Sequence, residues 1–199
     1  MKPFFLFFFI AVFLLGIPGK TQPTYLDTIK EYQSTYIKNH EVVKGNERNY
    51  LHFFPVDDRY RVMASFEEIV GAPWFKMETS GKEKKIYRVY GRLHFKLKDT
   101  SLVLEVYQSQ QLMRTKEYAD YLFIPFTDNT NGEESYENGR YIELTTGDIK
   151  DDVFLLDFNK AYNPYCAYVS NLYNCPIPPK ANFLPVSIPA GEMKFGKAH

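Results

Sequence analysis

The chain has 199 residues, and Lys plus Arg balance Asp plus Glu at 24 each, so its formal net charge is zero. With neither a basic excess nor a block of like charge there is no electrostatic footprint for nucleic acid, and that class of partner is set aside. Aromatic residues make up 17% of the chain; they could form a sugar-stacking surface, but a β-rich core uses them routinely and that reading is favoured.

Lys2 precedes an unbroken apolar run from Phe4 to Leu15, which Gly16, Pro18 and Gly19 then end. The run is too short for a spanning helix, which needs about 20 apolar residues, and it has the layout of a secretory signal peptide over residues 1–21. Cleavage is expected between Gly19 and Gln22. The only membrane association expected is through this segment if it stays uncleaved. Residues 22–49 are expected to hold a helix and a connector, and residues 50–195 a single β-rich domain.

Thr24 and Asp27 form a weak capping box, and Tyr25, Ile29, Tyr32 and Tyr36 recur at helical spacing, which predicts a helix ending by Asn39. Residues 39–49 are polar, contain Gly45 and read as a connector. From Tyr60 the period becomes two, with Tyr60, Val62, Ala64 and Phe66 on one face. The clearest alternation sets Tyr87, Val89, Gly91, Leu93, Phe95 and Leu97 against Arg88, Tyr90, Arg92, His94 and Lys96. A turn at Asp99 and Thr100 then returns Leu102, Leu104 and Val106 to the buried side, and this register places His94 near Glu105 and Arg92 near Tyr107. The basic stripe reads as a solvated face in preference to an anion site.

Tyr121 to Phe126 and Val153 to Leu156 are apolar on both faces, which predicts strands at the centre of the fold. Ser80-Gly81, Asn131-Gly132, Asn138-Gly139 and Thr146-Gly147 punctuate the strands as an antiparallel meander. The expected architecture is mainly β: seven or eight strands in a sandwich or partly closed barrel, with one N-terminal helix packed on an edge or end. The Pro-rich tail, with Pro176, Pro178, Pro179, Pro185 and Pro189, is expected to run extended over the surface as a strap.

Familiar catalytic and phosphate-binding motifs are absent, and His40, His52, His94 and His199 lack ligand spacing, so no metal or cofactor is expected. Residues 127–134 are rich in oxygen ligands, but Thr127 and Asn138 are wrong for the first and last positions of an EF-hand, and a polar turn is the preferred reading. Cys166 and Cys175 read as a disulfide closing a short loop, worth about 2–3 kcal/mol, over a free thiol. The densest polar stretches are 133–141 and 157–163. They suggest a polar cleft formed by Glu137, Arg140, Asp157, Asn159, Tyr162 and Asn163 at the rim of the core, or side chains that only satisfy an irregular loop. Symmetric pairing across the turn 146–151 sets Arg140 opposite Asp157 on an apolar face, where a charge requires a carboxylate partner.

Glu137-Asn138-Gly139-Arg140-Tyr141, Asp157-Phe158-Asn159-Lys160-Ala161-Tyr162-Asn163-Pro164, Cys166-Ala167-Tyr168, Cys175-Pro176 and Ala190-Gly191-Glu192 together resemble the bacterial 1684 family of domains of unknown function. Phe53-Phe54-Pro55, Tyr90-Gly91-Arg92-Leu93 and Leu122-Phe123-Ile124-Pro125-Phe126 extend the resemblance, which runs from about Tyr50 to Glu192 and leaves the helix outside it. Tyr165 stands where that family usually has a small residue or Pro. The resemblance implies no activity, and because its members carry both cysteines even without an evident export signal, a paired-thiol site stays open beside the disulfide. The leading functional expectation is an exported small-ligand-binding or envelope-associated domain. The alternatives are a hydrolase using Glu137 or Asp157 as acid or base, and a purely structural envelope protein.

Overall fold

A computed structural model describes residues 22–196; the apolar run Phe4 to Leu15, with the cleavage expected after it, and His199 lie outside them. The helix forms as the capping box predicts. Helix α1 (Tyr25–Asn39) is capped by Thr24, whose hydroxyl accepts from the Asp27 amide while the Asp27 carboxylate accepts from the Thr24 amide. The connector is not wholly irregular, since residues Gly45–Tyr50 wind into a 3₁₀ turn.

Eight strands follow: β1 (Arg61–Glu68), β2 (Phe75–Met77), β3 (Lys85–Leu97), β4 (Thr100–Ser109), β5 (Tyr121–Asp128), β6 (Arg140–Thr145), β7 (Val153–Asp157) and β8 (Phe183–Leu184). They form one curled half-barrel sheet in the order β6-β5-β4-β3-β1-β7, with β2 added to β3 and the short β8 running parallel to the end of β5. The inner face holds the main core, in which Leu93, Leu104, Leu122, Ile124, Phe126 and Leu156 are fully buried.

The β3–β4 hairpin turns at Lys98 and Asp99, both at positive φ, rather than at Asp99 and Thr100. Two consecutive left-handed residues make the tight turn whose twist matches a hairpin. Because the turn lies one residue earlier, each expected partner is off by two residues: Arg92 faces Glu105 and His94 faces Val103. A shift of this kind keeps every side chain on its face, so the buried set survives. The alternation does not survive across a bulge at Tyr90, between the Val89–Tyr107 and Gly91–Val106 pairs. One extra residue reverses the faces on either side of it. Leu93, Phe95 and Leu97 stay in the inner core, whereas Tyr87 and Val89 join Tyr107, Phe123 and Tyr141 in a second cluster. On β5, Leu122, Ile124 and Phe126 belong to the inner core and Phe123 to this second cluster, so both faces of the strand are covered, as its composition requires.

Val153 to Leu156 is not central: β7 ends the strand order and pairs only with β1. The expected hairpin between β6 and β7 does not form either, because they lie at opposite ends of that order. The connection is a capped 3₁₀ turn, with the Asp148 carboxylate accepting from Thr145, followed by a tight turn at Asp151 and Asp152, both at positive φ. It carries the chain across the open side of the half-barrel. Consequently Arg140 and Asp157 do not meet. Arg140 lies on the inner side with Ile142 and Leu144, whereas on β7 it is Leu156 that joins the core and Asp157 turns towards α1.

The carboxylate that the buried guanidinium requires is Asp128, at the end of β5, 2.6 Å away with both side chains fully buried. Its other oxygen accepts from the Thr130 amide and hydroxyl and from the Ile188 amide. The turn 127–134 is thus a polar turn whose acid is held by protein donors. Arg140 also donates to the carbonyls of Ile188 and Ala190.

Those bonds explain why the C-terminal strap does not run over the surface. It is extended, but Leu184, Ile188, Ala190 and Glu192 are buried, the first three in the main core. Proline removes amide donors that would need partners inside, and Arg140 supplies donors for two of the remaining carbonyls. Gly139 and Gly191, both at positive φ, allow the approach: a Cβ on either would come within 2.6 Å of a backbone carbonyl oxygen.

Arg140→Met and Asp128→Asn should each destabilise by about 3–5 kcal/mol, since each strands a buried partner. Urea denaturation of the double variant should show a coupling of about 2 kcal/mol or more; additive losses would contradict the pairing.

Candidate functional site

Helix α1 docks by hydroxyl groups more than by apolar side chains, since Ile29 is its one buried residue. Tyr25 donates to Asp157 at 2.9 Å, Tyr32 to the Lys160 carbonyl at 3.1 Å and Tyr36 to Glu192 at 3.0 Å. Spaced along one stripe, the three tyrosines hold the helix over one end of the outer sheet face.

A cleft of about 470 Å³ lies beneath it, within the size range of small-molecule sites. The helix contributes Tyr32 and Tyr36, and the outer face of β5 and β6 contributes Tyr121, Phe123, Tyr141 and Glu143. The far end of β3 adds Tyr87 and Lys85, and the loop 162–176 adds Tyr162, Tyr165 and Tyr173. The bulge at Tyr90 is what turns Tyr87 towards this side. The Cys166–Cys175 disulfide, with Cα atoms 6.3 Å apart, closes the loop, and Tyr141 donates to the Pro176 carbonyl just beyond it.

Glu143 accepts on one oxygen from both Tyr121, at 2.7 Å, and Tyr162. Desolvation, with a further contribution from the Glu143 charge, pushes the hydroxyls of Tyr32 and Tyr87 up to about 12. The same two causes raise Tyr121 and Tyr162. These tyrosines are therefore neutral donors near pH 7, not nucleophiles. A second depression, of about 410 Å³, shares Tyr32, Glu143 and Tyr162 with the first and is completed by Asp157, Lys160 and the β7 residues Phe154 and Leu155.

The six residues expected to form one polar cleft are distributed. Tyr162 lines both depressions and Asp157 lines the second. Asp157 accepts from Tyr25 and from the backbone and side chain of Asn159, whose amide also bonds Asp57. This cluster ties α1 to the edge of the sheet. Arg140 lies in the core. Asn163 presents its backbone amide to Glu192, and Glu137 is at the surface, 3.8 Å from Lys194. Of the cleft's tyrosines the sequence points only to Tyr162; Glu143 and the others are not visible as a site because aromatic residues read as core and the outer sheet face reads as solvated. The available signal was Tyr121, Phe123 and Tyr141 alternating with inner-core residues on two strands, together with a single carboxylate at Glu143.

Behind Tyr36 is the other notable carboxylate. Glu192 is fully buried and accepts from Tyr36, Tyr168 and the Asn163 amide. Desolvation raises its pKa to about 7 against the opposing effect of these bonds. His40, edge-on to Tyr168 at 4.6 Å, is pushed down to about 4, chiefly by burial and then by Lys44 and Arg48. Its Nδ1 accepts from the Val42 and Val43 amides, which is a structural role. Among the described residues no group of three or more His, Cys, Asp or Glu is placed to hold a metal ion, and no helix is long and apolar enough to cross a membrane.

Fold and site together define a half-barrel β domain with an aromatic cleft on its outer face, roofed by a helix. The chain belongs to the family described as protein of unknown function (DUF1684), whose model matches residues 47–193. Tyr32 and Tyr36 precede that match. The chain is also similar to an uncharacterised protein of Haloarcula marismortui solved by solution NMR, at 32% identity and a TM-score of 0.63 over 83% of this chain and 92% of that one. No curated protein matches the chain.

Because the folded pKa of Glu192 lies above its unfolded value of 4.5, the native state binds the extra proton, and the contribution is favourable at low pH and lost as pH rises from 4.5 to 7. His40 acts in the opposite sense, since its folded pKa is depressed. The difference between wild type and Glu192→Gln isolates the carboxylate: the variant should gain on the order of 3 kcal/mol relative to wild type across that interval. Denaturation midpoints at both ends of the interval check this, and parallel pH profiles would contradict it.

Proposed function

We propose that the protein is exported to the envelope or beyond in a bacterial cell, and that its mature domain binds a small molecule in the tyrosine-lined cleft. The observation that carries the binding reading is an aromatic cavity of about 470 Å³ on the outer sheet face, of the size and lining that small-molecule sites have. Tyr162 is retained from the residues expected from sequence, and Glu143 joins it. Export rests on the apolar leader and on the Cys166–Cys175 bond, since structural disulfides persist mainly in oxidising compartments.

Hydrolysis is the weaker reading. Glu137 and Asp157 do not share a cleft, and the oxygens of Asp157 are occupied by the Tyr25 hydroxyl and Asn159. Glu143 likewise has one oxygen taken by two tyrosines. A working acid or base needs a lone pair or proton within reach of substrate. A purely structural role leaves the cleft without a purpose.

Native mass spectrometry of the protein recovered from its compartment of residence tests both halves of the proposal. The intact mass should correspond to a chain starting between residues 20 and 22. A small-molecule adduct should be present on wild type and lost from Tyr162→Ala. A membrane-bound product retaining Met1 would overturn export, and an adduct unaffected by Tyr162→Ala would overturn the assignment of the cleft.

A further inference from the structure

Resting on the reading of the cleft as a binding site, we propose that its ligand presents an organic ammonium group, alkylated or quaternary, with Glu143 as counter-charge and the surrounding rings as its walls. The argument starts from what the cleft's hydroxyls are free to do. Tyr121 and Tyr162 both donate to Glu143. Tyr32 and Tyr141 donate to backbone carbonyls, Tyr36 to Glu192 and Tyr165 to Glu41. Six of the eight tyrosine hydroxyls lining the cleft are thus committed to protein acceptors, and beyond those of Tyr87 and Tyr173 the walls offer π surface more than hydrogen-bonding groups.

That surface is arranged as a corner. The rings of Phe123 and Tyr141 meet at 75° with centroids 4.6 Å apart, and those of Tyr141 and Tyr162 at 90° and 5.9 Å. Rings set at right angles can approach one compact group from several sides, which suits a rounded cation better than a flat one. Tyrosines that donate to a carboxylate carry more electron density in the ring, which strengthens the attraction.

Charge then separates the ligand classes. Among the described residues no Lys, Arg or His side chain comes within salt-bridge distance of Glu143, which is solvent-exposed at the cleft. A sugar would find few free hydroxyls. A purely apolar ligand would cover Glu143 without neutralising it, at a desolvation cost, and an anion would meet its charge directly. An ammonium satisfies the carboxylate and the rings together. Among the described residues lining the cleft Lys85 is the one cation; it stands on β3, three strands from β6 in the sheet order, and makes no ion pair with Glu143.

Calorimetric titration of the mature, disulfide-bonded chain tests the proposal with choline, tetramethylammonium and the uncharged choline isostere 3,3-dimethylbutan-1-ol. Both cations should bind, and the isostere should bind about tenfold more weakly or worse. Glu143→Gln, which preserves the acceptor for Tyr121 and Tyr162, should weaken choline about tenfold and leave the isostere unchanged. The comparison of ligands on wild type stands even if that variant fails to fold. Equal binding of choline and its isostere would overturn the ammonium assignment while leaving a small-molecule cleft in place. Failure of both cations to bind would overturn the ammonium assignment as well, and the binding reading would then stand or fall on the adduct lost from Tyr162→Ala.

Discussion

A single buried guanidinium organises the molecule. Arg140 has no exposed surface and reaches Asp128 on the neighbouring strand and two carbonyls of the C-terminal strap. A charge in that position is tolerable only with a carboxylate and further hydrogen bonds around it. The strap, in turn, can fill the half-barrel only because its carbonyls find donors there. Core, polar turn and strap are thus one assembly, and Glu192 emerges from the strap already fixed in position. Its carboxylate accepts from Tyr36, and α1 is anchored through that bond to the inside of the domain.

The second determinant is that the sheet is used on both faces. The inner face buries aliphatic side chains against the strap, while one end of the outer face carries an aromatic surface that a helix covers without filling. Hydroxyl docking explains the unfilled space. Tyr25, Tyr32 and Tyr36 reach their acceptors at the tips of long side chains, so the helix is held away from the sheet, unlike a helix seated by an apolar stripe. The same geometry leaves Glu143 at the mouth and the rings of Phe123, Tyr141 and Tyr162 around it.

Legibility from sequence followed the range of the interactions involved. The helix, its cap and the faces of β4 depend on neighbours a few residues away, and their spacing shows them. The family resemblance, drawn from motifs between Tyr50 and Glu192, agrees with the matched residues 47–193. The loop disulfide, inferred from two nearby cysteines, is present. Arg140 reads from sequence as a charge on an apolar face that needs a carboxylate, and that requirement is met by Asp128. Its partner is not legible, because symmetric pairing across residues 146–151 presupposes a hairpin, whereas two left-handed aspartates send the chain to the far end of the sheet. The bulge at Tyr90 is marked locally only by the isolated Gly91, since apolar alternation continues through it, and so the transfer of Tyr87 to the outer face does not show in the spacing. The burial of the strap is hidden for a related reason. Prolines forbid a central strand, but they do not forbid burial when a side chain supplies the missing donors.

The central claim is that α1 roofs an aromatic cleft on the outer face of the sheet, held there by tyrosine hydroxyls. Ring-to-ring nuclear Overhauser effects in selectively labelled protein test it most directly. Tyr36 should show cross-peaks to Phe53 and Tyr168, whose ring and hydroxyl it approaches, while Tyr141 shows them to both Phe123 and Tyr162. If the Phe123–Tyr141–Tyr162 contacts appeared without those of Tyr36, the aromatic surface would stand but the roof would not, and the account of the cleft would be contradicted.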